Sequence, residues 1–137
     1  RRSSDMTIVL QSFAYKLGVP QDADFIFDAR ILPNPHWQED LKALTGRDKA
    51  VIAWLESNEQ VRKMTQDIEN FMDTWLPVFQ DAQRSYMTIC IGCTGGQHRS
   101  VYLVEKLAKS LGKKHPNVLV HHREKPSWKM TGKKKQA

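Results

Sequence analysis

Hydrophobic and polar positions along this chain fall into blocks whose spacing switches between two periods. Met6 to Ala14 (M-T-I-V-L-Q-S-F-A) reads as a first, buried strand, and Asp24-Phe25-Ile26-Phe27-Asp28 as a second that ends in a carboxylate. Between them Tyr15 to Pro20 is a loop. Ala29 to Trp37 holds Pro33 and Pro35, which argue against helix and for a stiff, extended segment. Gln38 to Arg47 is irregular, with a turn at Thr45-Gly46. Asp48 to Ser57 is a short amphipathic helix with Val51, Ile52 and Leu55 inward. Asn58 to Gln83 is a longer one, in which Val61, Met64, Ile68, Phe71, Met72, Trp75 and Phe79 keep the helical period of a packed face. Pro77 predicts a kink or an end near Trp75.

The most informative stretch is 86–112. Tyr86 to Ile91 is an apolar run of strand length. Gly92 to Gln97 (G-C-T-G-G-Q) reads as a break that continues neither strand nor helix. From His98 onward Val101, Val104, Leu107, Ala108 and Leu111 return at helical spacing until Gly112 stops the run. A glycine turn that opens a helix leaves backbone N–H groups unpaired and parallel, and the helix dipole adds about half a positive charge there. A phosphate or other oxyanion fits such a place, and Arg99 can grip one with two hydrogen bonds. Asn117 to His121 is a last strand.

Strands that alternate with helices predict an α/β domain, three-layer-like, with a mostly parallel sheet. Residues 1–5 read as a linker edge, 6–122 as the domain and 123–137 as a basic, disordered tail. Ligands of such sheets gather beyond the carboxyl ends of the strands. There the pattern places Ser12 and Lys16 after strand one, Asp28 and Arg30 after strand two, and Cys93 to Arg99 after strand three. His36 and His98 are the histidines that fall in such loops.

Charge sharpens the picture. The 137 residues carry a net +6, but 113–137 hold eight basic residues against Glu124 alone, whereas the first 112 hold 13 basic against 14 acidic. A neutral body with a basic end beside an anion loop suggests a polyanion such as RNA as partner. No apolar run approaches the roughly 20 residues of a membrane span. Two cysteines three apart make no disulfide framework, so a cytoplasmic protein with reduced thiols is expected.

Cys93 to Ser100 has the form C-x5-R-S, the spacing of the protein tyrosine phosphatase loop. Three readings stay open on the residues alone. The stretch is an anion-binding loop without chemistry, a phosphatase with Cys93 as nucleophile and Asp28 as acid, or a structural turn. Helix 58–83 leaves a protein–protein adapter as a further alternative. Cys90 reads as strand core, and no close set of further ligands supports a metal site. Of the four tryptophans only Trp128, between Lys125 and Lys129, has the basic–aromatic mix of a base-stacking residue; the others read as core or cover. The chain holds no G-x-x-x-x-G-K-[ST].

The runs S-F-A-Y-K-L-G-V-P (12–20), D-A-D-F-I-F-D-A-R-I-L-P-N-P-H-W (22–37), L-T-G-R-D (44–48), W-L-P (75–77) and I-G-C-T-G-G-Q-H-R-S-V (91–101) resemble the C-terminal domain of the RapZ (YvcJ) family of RNase adapter proteins, over about residues 6–125. The resemblance implies a fold similar to a phosphofructokinase subdomain and no catalysis by this domain. It implies binding of a small regulatory RNA, delivery of that RNA to an endoribonuclease, assembly as a homo-oligomer, and an N-terminal P-loop domain in full-length members. It also implies sensing of glucosamine-6-phosphate. Cys93, Thr94, Gly95 and Gly96 would hold the phosphate with His98 and Arg99, inside the motif that runs on to Ser100. Asp28 would orient the sugar, with Arg30 and His36 nearby. RNA contacts would fall on Lys16, His36, Arg99, Lys113, Lys114, Arg123 and Lys125. Gln97 stands where many members carry Lys.

Overall fold

The computed structural model describes residues 5–128. The elements are strand β1 (Thr7–Ala14), strand β2 (Phe25–Asp28), helix α1 (Lys49–Glu56), helix α2 (Glu59–Asp81), strand β3 (Tyr86–Cys93), helix α3 (Arg99–Leu111) and strand β4 (Val118–His122). Short 3-10 turns cover Tyr15–Leu17, Pro35–Trp37 and Lys125–Ser127. The sheet has the order β2-β3-β1-β4, and every pairing is parallel. The α/β fold is therefore as the alternation of periods implied, and the parallel sheet is complete.

Register sorts the strand residues onto two faces. Ile8, Leu10 and Ser12 align with Met87, Ile89 and Ile91 and with Val118, Val120 and His122; Phe25 and Phe27 align with Ile89 and Ile91. This is the helix-covered face. Phe25 and Phe27 meet Phe71 of α2 edge to face, at 5.0 and 5.5 Å between ring centres. His122 bonds Glu105 of α3. The steps from β2 to β3 and from β3 to β4 run in the same direction across the sheet, so right-handed crossovers put α1, α2 and α3 on one side. The step from β1 to β2 runs the other way. It is a loop without a regular helix, and its Tyr15 ring packs on Phe13 of the opposite face.

Four expectations need correction. β3 does not stop at Ile91, because Gly92 and Cys93 pair with Phe13 and Ala14 and extend the ladder by two residues. Gly92 is required there, since a Cβ would run into the Phe13 and Tyr15 rings. Pro35 starts a 3-10 turn instead of forbidding one; it occupies the first turn, where a missing N–H costs nothing, and Asn34 Oδ1 accepts from His36 N at 3.0 Å. α2 runs through Pro77 to Asp81. Leu76 before the proline is buried, and Phe79 after it packs on Phe25 at 5.8 Å, an anchorage that outweighs the lost helical bond. Finally, Trp75 is 46% exposed, and the buried stripe of α2 is Val61, Thr65, Ile68, Met72 and Leu76.

The tail also departs from the sequence reading at its start. Residues 123–128 turn back over the domain, with Glu124 and Trp128 buried. Lys129, Lys133, Lys134 and Lys135 lie outside the described residues, as do residues 1–4.

Cys90 and Cys93 are both buried with free thiols, three residues apart on opposite faces of the sheet. They cannot act as a dithiol pair. Burial pushes the Cys90 thiol up to about 11.

Replacing Pro77 by Ala restores a helical N–H and removes a ring that clashes with the preceding turn. Urea unfolding should show a gain of up to about 3 kcal/mol. A loss of stability would mean that the ring itself is a needed packing element.

Candidate anion site at the carboxyl edge of the sheet

β1 and β3 are neighbours, and being parallel they deliver the Tyr15 loop and the Thr94 loop to the same edge. A cavity of about 520 Å³ opens there, lined by Lys16, Asn34, His36, Trp37, Lys42, Cys93, Thr94, Gly95, Gln97, His98 and Arg99, with Leu17 and Ser127. Its wall carries Lys16 and Lys42 and no carboxylate among the described residues.

Four carbonyls of the turn from Thr94 to Arg99 are engaged by donors from elsewhere. Thr94 O accepts from Lys16 N at 3.4 Å, Gln97 O from Gly46 N at 2.9 Å and His98 O from Tyr102 N at 2.9 Å. Gly96 O accepts from the Trp128 indole at 2.9 Å. The amides of Gly95, Gly96, His98 and Arg99 donate to no acceptor among the described residues. Gly96 holds φ +68°, and a Cβ there would sit 2.7 Å from Glu124 Cγ. The turn thus needs glycine at 96 for two independent reasons. Glu124 is itself fixed, with Oε2 accepting from Ala14 N at 3.0 Å and from Arg123 at 2.7 Å.

Arg99 is 4% exposed and acts mainly as a brace. Its Nη1 donates to Arg30 O at 2.9 Å and Leu32 O at 3.0 Å, tying the loop after β2 to the start of α3. Its Nη2 lies 3.5 Å from Thr94 Oγ1. Its Nε is buried with no partner among the described residues, and the side chain lines the cavity. Cys93 Sγ accepts from Ser100 N at 3.4 Å and sits 3.1 Å from Ser100 Oγ. Gln97 Nε2 donates to Leu44 O at 2.8 Å and so braces the 42–44 segment. His98 Nε2 lies 3.2 Å from Leu41 O, so that nitrogen carries the proton; burial lowers the ring's pKa and keeps it neutral.

Other sequence-derived candidates fall away from the cavity. Asp28 and Arg30 pair with each other at 2.7 Å, and the Arg30 guanidinium lies 3.8 Å over the Tyr15 ring. Asp28 instead edges an apolar cleft with Phe27, Ile31, Leu32, Met64 and Phe71. The Arg30 hydrogen bonds hold the Asp28 carboxyl below the usual range, so it is ionised at neutral pH, the wrong state for the leaving-group acid of a phosphatase. Lys113 and Lys114 lie past the far end of α3, a helix of 13 residues and so about 20 Å long. Lys114 pairs there with Asp73 at 2.8 Å. Arg123 donates to Gly18 O at 2.7 Å and covers Phe13. Lys125 is exposed in the last 3-10 turn. No cluster of metal-ligating side chains occurs among the described residues.

Sequence reasoning passed over Lys42, Asn34 and Trp37, which line the cavity, as site residues. It also passed over Glu124, which holds the turn with Trp128, the residue it had read as a stacking candidate. Nothing in the sequence marks Lys42. The Asn-Pro pair was a legible cap signal for the turn that carries His36 and Trp37. Trp128 is 8% exposed and bonded to Gly96 O, so it is a strut of the loop and not a free stacking surface.

Below this edge His122 is held neutral between Ser12 Oγ (2.7 Å from Nδ1) and Glu105 Oε2 (2.6 Å from Nε2). Burial lowers its pKa more than Glu105 raises it. His98 and His122 are thus less basic folded than unfolded, and the unfolded chain takes up protons first. Their contribution is fully present above the ordinary histidine value of about 6.5 and declines as pH falls through it. Urea midpoints should drop between pH 7.5 and 5.5, where carboxylates remain ionised, and His122→Gln should reduce the drop. Equal midpoints at the two pH values would contradict the assignment.

Comparison with known proteins agrees with this geometry's place in the chain. The family model described as RapZ C-terminal domain matches residues 6–126. Proteins named nucleotide-binding protein from Pseudoalteromonas atlantica and Nitrosococcus oceani are 54% and 56% identical over 124 and 119 residues, which is 90% and 87% of this chain. One from Acinetobacter baylyi is 51% identical over 127 residues, 93% of the chain. The matched stretches cover 44%, 42% and 44% of those relatives, so the chain spans less than half their length. With the match running from the first strand to the segment that closes over the loop, the chain belongs to the RapZ C-terminal domain family.

Proposed function

We propose that this domain binds a phosphorylated metabolite and RNA at the carboxyl edge of its sheet, without catalysis, as part of an RNase adapter. The observation that carries the reading is the cavity wall. It combines the amides of Gly95, His98 and Arg99, which have no acceptor among the described residues, the Arg99 side chain and the side chains of Lys16 and Lys42, with no carboxylate among the described residues. Such a wall attracts an oxyanion and repels nothing about it. A phosphate seats on the Thr94–Gly96 backbone, and His36 and Asn34 face the group attached to it. Family membership makes glucosamine-6-phosphate the first ligand to try and a small regulatory RNA the first macromolecule.

The family also directs attention to an endoribonuclease partner and to assembly of several copies. The nucleotide named in the relatives is assigned to the part of them outside the matched stretch, because this chain has no P-loop sequence. The exposed cations at the rim, Lys16 and Lys42, belong to the RNA surface, with exposed Lys125 and the lysines of 129–135 following later in the sequence.

Titration calorimetry should give heat with glucosamine-6-phosphate and none with glucosamine. The double substitution Lys16→Ala and Lys42→Ala should weaken the sugar phosphate roughly tenfold or more while leaving the melting temperature unchanged, since both side chains are exposed. Filter binding to structured RNA should fall steeply with salt, and the same pair should flatten the slope by about one to two units. Equal affinity for glucosamine and its phosphate, or a salt-independent RNA affinity, would defeat the reading.

A further inference from the structure

We propose that Trp37 is a stacking platform for an unpaired nucleobase at the rim of the cavity, so that the RNA enters with one base on the indole and a neighbouring phosphate on the 95–99 turn. The inference rests on the phosphate reading above and adds the kind of nucleotide the site takes.

Trp37 is 78% exposed, more than any other large apolar side chain among the described residues, and it lines the cavity. An exposed tryptophan contributes nothing to the core and carries a large apolar face in water. Its backbone, by contrast, is firmly built. Pro35 is buried, Asn34 Oδ1 accepts from His36 N, Trp37 N donates to Asn34 O at 3.2 Å, and Gln38 N donates to Pro35 O at 2.9 Å. The fold holds the ring out deliberately: two prolines and a side-chain cap fix a turn whose product is one projecting indole. The His36 and Trp37 rings meet edge to face at 5.0 Å and 82°, so they do not stack on each other. Lys16 and Lys42 are exposed on the same wall and make no ion pair among the described residues.

A stiff aromatic face beside free cations and backbone donors is the combination that binds single-stranded nucleic acid. Aromatic stacking takes the base, and cations and amides take the phosphate. The ring cannot reach a base locked in a duplex, so the site selects a looped or terminal nucleotide. Trp128, which has the same basic surroundings in sequence, is excluded by its burial and by its bond to Gly96 O.

The test uses the whole chain with a fluorescein-labelled single-stranded oligoadenylate, a blunt RNA duplex of the same length, and glucosamine-6-phosphate. Trp37→Ala should weaken the single strand roughly 10- to 100-fold, as loss of one stacked base does. The salt slope should be unchanged, because no phosphate contact is lost. Trp37→Phe should recover most of the affinity. Duplex and sugar-phosphate affinities should shift less than twofold. If Trp37→Ala leaves the single strand within twofold while the Lys16 and Lys42 substitutions weaken it, the phosphate reading stands and the stacking inference is wrong. If Trp37→Ala weakens the sugar phosphate as much as the RNA, the indole faces the sugar and the inference is also wrong. If the unsubstituted chain binds no RNA, both the inference and the RNA half of the reading fail.

Discussion

The turn between β3 and α3 depends on a division among its peptide groups. Four carbonyls, those of Thr94, Gly96, Gln97 and His98, are taken by donors from four different parts of the chain. Those donors are Lys16 after β1, Gly46 before α1, Tyr102 inside α3 and the Trp128 indole beyond β4. A free carbonyl at the mouth would present negative charge to an incoming anion. With those four carbonyls engaged, the amides of Gly95, Gly96, His98 and Arg99 are left without an acceptor among the described residues. The proposed anion receptivity therefore rests on the tertiary structure more than on the glycine motif. The same G-C-T-G-G-Q stretch, released from its four anchors, has no reason to keep its donors aligned.

The sheet order explains how those anchors come within reach. β1 and β3 are central and adjacent, so their trailing loops lie side by side. β4 on the far side of β1 returns the chain to the same edge, where Arg123, Glu124 and Trp128 fold over. β2 on the other flank brings its own trailing loop, which Arg99 grips through two carbonyls. Arg99 serves two ends at once. Its Nη1 does structural work on the 30–32 loop, its Nε is buried without a partner among the described residues, and its Nη2 lies toward Thr94 at the cavity. An Arg99 substitution would disturb the loop and the ligand together, whereas Lys16 and Lys42 report on the ligand alone.

Periodicity was enough to place all four strands and three helices to within a few residues, because their apolar residues recur at strand or helix spacing even in β4, whose apolar side chains are not fully buried. It failed where tertiary contacts override local preference. Gly92 and Cys93 look like a strand's end, yet the Phe13–Ala14 ladder continues through them. Pro77 looks like a stop, yet Leu76 and Phe79 hold the helix on both sides. The site was legible at its centre, Cys93 to Arg99, because glycines, cysteine and arginine at that spacing carry a local meaning. It was not legible at its walls. Lys42 arrives from an irregular loop, and Trp37 is exposed while Trp128 is buried and bonded to Gly96 O, the reverse of what their sequence neighbours suggested. Flanking lysines say nothing about which way an indole points; a hydrogen bond to Gly96 O does.

One sheet face carries all the helices, and the other is packed toward its carboxyl edge, where the rings of Phe13 and Tyr15 meet and Arg123 lies over Phe13. Toward the amino edge it exposes Tyr86 at 58% and Leu119 at 53%. Tyr86 opens β3 and Gly92 lies six residues on, which at strand rise is about 20 Å. The exposed apolar positions and the anion cavity thus occupy opposite ends of the same strands. A neighbouring body laid against the bare part of the sheet would leave the cavity mouth open. The parallel strands between them are the rigid element that fixes this separation.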